Sequence, residues 1–161
     1  MIQKVQIRPA TTRDLVSIVE IYLEVFEKKV GGVSIARDFQ EAEAESPYAL
    51  LYFVAEADFN VLGYISACQL TGVMDFYELG VRPEARKRGI GRLLMNKIIN
   101  EACSRQIDLL MLEVAVTNSP AISLYEDFGF RVYGRRKHYY QDTGEDALLM
   151  RLDLDLETCL V

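Results

Sequence analysis

Residues 73–92 read Val73-Met74-Asp75-Phe76-Tyr77-Glu78-Leu79-Gly80-Val81-Arg82-Pro83-Glu84-Ala85-Arg86-Lys87-Arg88-Gly89-Ile90-Gly91-Arg92. The mostly apolar first part, Val73 to Val81, predicts a strand. Pro83 to Arg88 is a polar, basic loop. From there Ile90, Leu93, Leu94, Ile98 and Ala102 recur on one helical face, which predicts a helix from about Gly89 to Arg105. Four basic side chains occupy the seven positions from Arg86 to Arg92. Glycines at 89 and 91 lack a Cβ, so a ligand can come close to the backbone. The first amides of a helix have no internal partner and its dipole is positive there, so the loop suits an anion such as pyrophosphate. No Gly-Lys-Ser/Thr closes a P-loop, and two glycines do not make a dinucleotide fingerprint. Taken alone, the loop also reads as a solvated basic turn.

Upstream, Val5 and Ile7 alternate with polar residues and predict a strand ending at Pro9. Thr11 is placed as a helix N-cap with Asp14 three residues on, and Leu15, Ile18, Val19, Tyr22 and Phe26 follow at helical spacing. Gly31-Gly32 breaks that helix. Residues 36–46 predict an exposed helix before Pro47. Leu50–Ala57 and Val61–Leu70 predict strands around a turn at Asp58-Phe59-Asn60. Downstream, Leu109–Val116 is nearly all apolar apart from Glu113, the pattern of a strand buried on both faces. Ser119 is expected as an N-cap with Pro120 at the first helical position. Ala121, Leu124, Tyr125 and Phe128 make the next helical face, stopped by Gly129. Phe130–Arg135 and Ala147–Asp153 are expected as final strands joined by a polar excursion. The order is β-α-α-β-β-β-α-β-α-β-β, a mixed sheet with helices on its faces.

Composition narrows the function. The chain has 161 residues, half of them hydrophobic, which suits a single domain over 1–161 with its own core. Eighteen basic and 24 acidic residues give a net charge of −6, which argues against general nucleic-acid binding. The charge is uneven: residues 82–105 carry seven bases and two acids, whereas 38–60 carry six acids and no base. No apolar run reaches the length of a membrane span, and the N-terminus has no signal-peptide core. Cys68, Cys103 and Cys159 form no CxxC pattern, and the one histidine is His138. These exclude a Cys/His metal site and give no disulfide framework, so the cysteines are expected as small hydrophobes and the compartment as a reducing cytosol.

Arg86-x-x-Gly89-x-Gly91 between a strand and a helix resembles the acetyl-CoA pyrophosphate loop of the GCN5-related N-acetyltransferase (GNAT) superfamily. Leu112-Glu113-Val114, Asn118-x-x-Ala121-Ile122-x-Leu124-Tyr125-Glu126 and Gly129-Phe130 match in order and spacing. With Tyr139-Tyr140 and Gly144-Glu145-Asp146-Ala147, the chain is similar to the protein N-terminal acetyltransferases, both the ribosomal-protein alanine and the archaeal Ard1 type. The resemblance implies an α/β fold: a mixed, mostly antiparallel central sheet that splays at the cofactor site, with helices on both faces. It implies acetyl-CoA as cosubstrate, without a metal. Leu79, Gly80 and Val81 would offer backbone groups to the pantetheine arm. Arg86, Lys87, Arg88, Gly89, Ile90, Gly91 and Arg92 would hold the pyrophosphate, and Asn118 would touch the cofactor near the splay. Glu113 would be the general base and Tyr125 the general acid. Tyr77, Tyr139 and Tyr140 would wall the acceptor pocket, faced by Phe26.

These residue types suit the chemistry. An α-amine with a pKa near 7.7–8.0 is mostly protonated at neutral pH, so a base must free its lone pair. A carboxylate in an apolar strand is raised towards that range by desolvation. A tyrosine can protonate the departing thiolate, and no covalent acyl-enzyme is needed. Taken singly, Glu113 also reads as a salt-bridged acid and Tyr125 as a core ring. Arg135-Arg136-Lys137-His138 reads as a solvated turn.

The expected acceptor is a protein N-terminus, with ribosomal proteins among the candidates. Residues 26–32 match the substrate loop of such enzymes poorly, which leaves the preferred first residue open. The oligomeric state is not fixed by sequence. Asp75 and Glu78 are acidic where relatives often carry neutral residues. They motivate a second reading, acetylation of a small-molecule amine. Strand alternation places Asp75 and Tyr77 on one face, Phe76 and Glu78 on the other. A third reading, from another class, is a CoA-binding regulatory module without turnover.

Overall fold

The computed structural model describes residues 4–26, 35–39, 49–155 and 159. Seven strands form one sheet in the order β1-β2-β3-β4-β5-β7-β6. They are β1 (Gln6–Pro9), β2 (Ala49–Ala57), β3 (Asn60–Gln69), β4 (Val73–Val81), β5 (Leu109–Ala115), β6 (Arg131–Tyr140) and β7 (Glu145–Asp153). Among the described residues, the helices α1 (Leu15–Phe26), α2 (Ile90–Ser104) and α3 (Ser119–Asp127) accompany them. The β2–β3 hairpin turns at Asp58 and Phe59, both left-handed, as a two-residue hairpin turn requires. Residues 35–39 are helical, with Ile35 buried; the rest of the helix expected over 36–46 lies outside the described residues.

The two faces of the sheet are covered differently. Ile18, Ile21 and Tyr22 of α1 pack with Ile35, Val54 and Tyr64 on one face. On the other, Ile90, Leu94 and Ile98 of α2 and Tyr125 of α3 pack with Phe53, Ile65, Met74, Phe76, Leu110 and Leu112.

Every neighbouring pair is antiparallel except β4–β5, which is parallel and paired only at Val73/Leu109, Met74/Leu110 and Asp75/Met111. Beyond Asp75 the two strands diverge, and the edge of β4 facing β5 is left unpaired. This is the mixed, mostly antiparallel, splayed sheet that the sequence implied.

Several local expectations are corrected. β5 alternates between buried and half-buried residues and is not sealed on both faces. The α3 N-cap is Asn118, whose side chain accepts the Ala121 amide, and Ser119 lies inside the helix. β6 runs on to Tyr140, so Arg135 to His138 belong to an edge strand with an irregular register and not to a turn. Cys103 and Cys159 are joined in a disulfide, with their Cα atoms 5.5 Å apart, which replaces the reading of both as unpaired small hydrophobes. Cys68 is free and buried.

The alternation of β4 is broken as well. Ser66 pairs with Glu78 and Ala67 with Phe76, which leaves Tyr77 as an extra residue, a β-bulge. Met74 and Phe76 face α2. Without the bulge Glu78 would follow them. With it, Glu78 turns to the α1 face, where it accepts the Tyr64 hydroxyl at 2.8 Å.

Candidate active site

On the α1 face, at the splay, lies a cavity of about 370 Å³. The bulge supplies Phe76, Tyr77 and Glu78 to its wall, β5 supplies Glu113, and β6 supplies Tyr139 and Tyr140. Ile35, Asp38, Tyr52 and Ser66 complete it. Sequence reasoning named Tyr77, Glu113, Tyr139 and Tyr140 for this site, and the fold brings all four together. It missed Asp38, Tyr52 and Ser66, which lie far away in the chain. Phe26 does not line the cavity; its ring packs 5.3 Å from Tyr22 at the end of α1. The stretch from Glu27 to Gly32, expected to shape the acceptor pocket, lies outside the described residues.

Glu113 stands on the open side of β5 with its side chain one-third exposed and Arg136 Nη1 3.1 Å from its Oε1. The expected desolvated carboxylate is therefore half-open and ion-paired. Arg136 in turn lies over the Tyr139 ring, 5.5 Å from its centroid. Tyr139 and Tyr140 meet edge to face at 5.1 Å. Burial pushes the Tyr140 phenol up to about 12, with Tyr139, Glu113 and Glu145 adding to the rise.

Tyr125 approaches from the opposite face. Its ring lies 5.6 Å from Phe76 and 5.9 Å from Phe130, and it is buried. Burial holds its phenol above the usual tyrosine pKa, and Tyr140 adds to the effect.

Both unusual acids of β4 face the acceptor side. Glu78 lines the first cavity. Asp75 lines a second, of about 400 Å³, which shares Glu113 with the first and also includes Arg136 and Tyr133. Burial raises the Asp75 carboxyl above its ordinary pKa.

The profile of the acetyltransferase (GNAT) family matches residues 15–130. The chain belongs to that family. It is similar to the N-alpha-acetyltransferase of Sulfolobus acidocaldarius, 32% identical over 162 residues covering 92% of each chain. It is also similar to the [ribosomal protein bS18]-alanine N-acetyltransferase of Escherichia coli K12, 34% identical over 100 residues, 58% of this chain and 68% of that one. The crystal structure of the ribosomal-protein-S18-alanine N-acetyltransferase from Escherichia coli superposes with a TM-score of 0.83, at 26% identity, covering 95% of this chain and 96% of that chain. The protein is thus an N-acetyltransferase, and GNAT acetyltransferases use acetyl-CoA as acetyl donor.

The residues at the splay fit that cosubstrate. The free edge of β4 presents the backbone of Leu79 to Val81, although Arg86 Nε already donates to the Val81 carbonyl at 3.3 Å. Gly89, at φ +80°, is the N-cap of α2, and no side chain caps that helix start. Its open surroundings leave room for a phosphate group, because a Cβ there would meet nothing within 4 Å. Arg86, Lys87 and Arg88 are exposed around it. Arg92 is already engaged, 2.7 Å from Asp127 and over the Phe128 ring. A Cβ at Gly91 would meet Leu124 of α3 at 3.4 Å, so the glycine there also lets α2 and α3 pack closely. Asn118, as the α3 cap, sits just past the end of β5.

Proposed function

We propose that this acetyltransferase acetylates the α-amine of a protein N-terminus, with Glu113 as general base and Tyr125 as the group that steadies the leaving sulfur. The observation that carries the reading is the phenol-walled cavity of about 370 Å³, set at the splay and bordered by Glu113. Its size suits the first residue of a chain. The likeness to an N-alpha-acetyltransferase over nine-tenths of the chain supports the same acceptor class.

Glu113 takes the proton of the incoming ammonium, directly or through water, which frees the lone pair for attack. Arg136 pairs with the carboxylate and must yield to the ammonium as it arrives. Tyr139 and Tyr140 confine the first residue. Arg86 to Arg92 and the first amides of α2 hold the pyrophosphate, and Leu79 to Val81 hold the arm that leads to the splay. Acetyl-CoA would supply the activated acetyl group, which passes to the amine nitrogen as the C–S bond breaks, with CoA leaving as the thiolate that carries the bond's electron pair. A phenol held above its usual pKa gives up its proton reluctantly to a thiolate whose conjugate acid resembles a cysteine thiol, near 8.5. Tyr125 therefore acts first as a hydrogen-bond donor to the developing charge.

A second reading has its own observation: Asp75 and Glu78 both line cavities bordering Glu113, which suits a small diamine. A panel of peptides differing at the first residue, assayed for thiol release beside polyamines and amino sugars, separates the two. Turnover of peptides supports the N-terminal reading, and turnover of small amines alone overturns it.

A further inference from the structure

The cavity floor is a row of three side chains on adjacent strands. Tyr52 of β2 pairs with Ser66 of β3, and Ser66 pairs with Glu78 of β4. The phenol protons around this row are spent. Tyr52 donates to Asp38 at 2.8 Å, and Tyr64 donates to Glu78 at 2.8 Å. Two carboxylates therefore meet the cavity as hydrogen-bond acceptors. Between Tyr52 and Glu78 lies Ser66, 1% exposed, whose Oγ has no hydrogen-bond partner among the described residues. That Oγ is near enough to Tyr52 to temper the rise in the phenol's pKa, but is not in hydrogen-bond geometry with it.

A buried hydroxyl without a partner costs stability, so its presence needs a reason. Size is not that reason, since alanine would fill the same place. The next two residues of β3, Ala67 and Cys68, are apolar, as a buried strand favours. The orphan hydroxyl occurs where the strand forms the cavity floor, with acceptors on both sides.

We propose that the floor reads a hydroxyl on the acceptor's first residue, so that the enzyme prefers N-terminal serine or threonine to alanine and rejects aspartate. The proposal rests on the N-terminal reading above. A hydroxyl is both donor and acceptor. It can donate to the carboxylate of Glu78 while accepting from Ser66, which completes the row. Alanine leaves Ser66 unpartnered, and an aspartate side chain would meet two carboxylates with no proton to offer.

The test uses peptides identical except for Ser, Thr, Ala, Asp or Lys at the first position, with kcat/KM measured for the full-length enzyme. Ser and Thr should exceed Ala by roughly tenfold, the worth of one neutral hydrogen bond in a partly closed site. Asp should fall below detection. Ser66→Ala should bring the Ser-to-Ala ratio close to one. Glu78→Gln is the second variant: its amide can donate, so it should restore turnover of the Asp peptide. Alanine equal to serine in the wild type, an unchanged ratio in Ser66→Ala, or lysine as the best first residue each overturns the proposal while the N-terminal reading stands. Failure of every peptide beside turnover of a polyamine overturns both.

Discussion

Arg136 reaches across β7 to Glu113, from one side of the three-strand unit β5-β7-β6 to the other, and closes to 3.1 Å. In the proposed mechanism the pair sits where the acceptor's ammonium arrives. Arg136 is about half exposed, at 54%, so the contact contributes little to folding, on the order of 0–1 kcal/mol. Its weight falls on catalysis. Glu113→Gln should lower kcat by roughly 10²–10⁴-fold, the range for a general base, with the KM for acetyl-CoA close to wild type. Arg136→Ala should leave the melting temperature almost unchanged but lower the KM for a cationic acceptor, because the guanidinium no longer competes for the carboxylate. The gain should fade as salt rises. Steady-state kinetics at two ionic strengths provide the check, and an acceptor KM unmoved at both would remove Arg136 from this role.

Tyr125 combines core packing with its proposed role at the leaving sulfur. Its ring is wedged between Phe76 and Phe130. Tyr125→Phe keeps those contacts and removes the hydroxyl alone. Folding free energy from urea titration should shift by no more than about 1.5 kcal/mol. The kcat should fall by roughly 10²–10⁴-fold. A variant with wild-type kcat would leave Tyr125 as a core ring only.

The element order was legible because periodicity is strong in this chain. The 3.6-residue repeat of Ile90, Leu94 and Ile98 and the apolar run of β3 each permit one reading. The splay and the roles of Glu113 and Tyr125 came from motif resemblance and not from periodicity. What stayed hidden has physical causes. The bulge at Tyr77 carries no glycine or proline, so strict alternation put Glu78 on the wrong face. Arg135 to His138 resembled a turn because an edge strand exposed to water tolerates charge on both sides. Ser66 sat in an apolar run as one small residue among many. Its meaning depends on Tyr52 and Glu78 on the flanking strands, and pairing across strands is not written locally. The disulfide depends on the path of the chain after β7, which no spacing of three cysteines reveals.

The basic loop can be dissected by charge reversal. Arg92 already spends its guanidinium on Asp127 at 2.7 Å, whereas Arg88 has no acidic partner among the described residues. Arg88→Glu should therefore raise the KM for acetyl-CoA by on the order of tenfold, the worth of about one charge-assisted contact. Arg92→Glu should cost less in cosubstrate affinity, and Asp127→Asn should lower that KM by freeing Arg92. An Arg88→Glu enzyme with an unchanged KM would place the pyrophosphate elsewhere.

Acid sensitivity should begin far from the active site. Arg8 donates to both oxygens of Asp14, at 2.7 and 2.8 Å, and also binds Glu56. The Thr11 amide adds a bond to Asp14 at 2.7 Å. The Arg8 guanidinium, helped by Thr11 and opposed by burial, lowers the Asp14 carboxyl to about 2. Its unfolded value is about 3.9. The folded value is the lower one, so the stabilisation is complete above about pH 4 and is lost as pH falls through about 2. The shift corresponds to about 2 kcal/mol. Urea unfolding at pH 5 and pH 2.5 should show a smaller loss of stability in Asp14→Asn than in wild type. Equal losses would show that the Arg8–Asp14 pair does not set the acid limit.

The bridge between Cys103 and Cys159 closes a chain separation of 56 residues. A loop of that length loses much freedom when tied in the unfolded chain, which gives a stabilisation of about 2–4 kcal/mol. For a domain of this size, that amounts to a melting shift of roughly 5–15 °C. Oxidised wild type should melt higher than the same protein in reductant. Cys159→Ser should match the reduced wild type and be indifferent to reductant. Alkylation after denaturation should find one thiol, Cys68, in the oxidised protein and three after reduction. A reducing compartment would hold the pair as thiols. In such a compartment the melting temperature measured in reductant is the relevant one, and the oxidised form is the more heat-resistant of two states. Equal melting temperatures with and without reductant, with the bridge shown to be present by thiol count, would mean that the tie restrains only the end of the chain and contributes nothing to the fold.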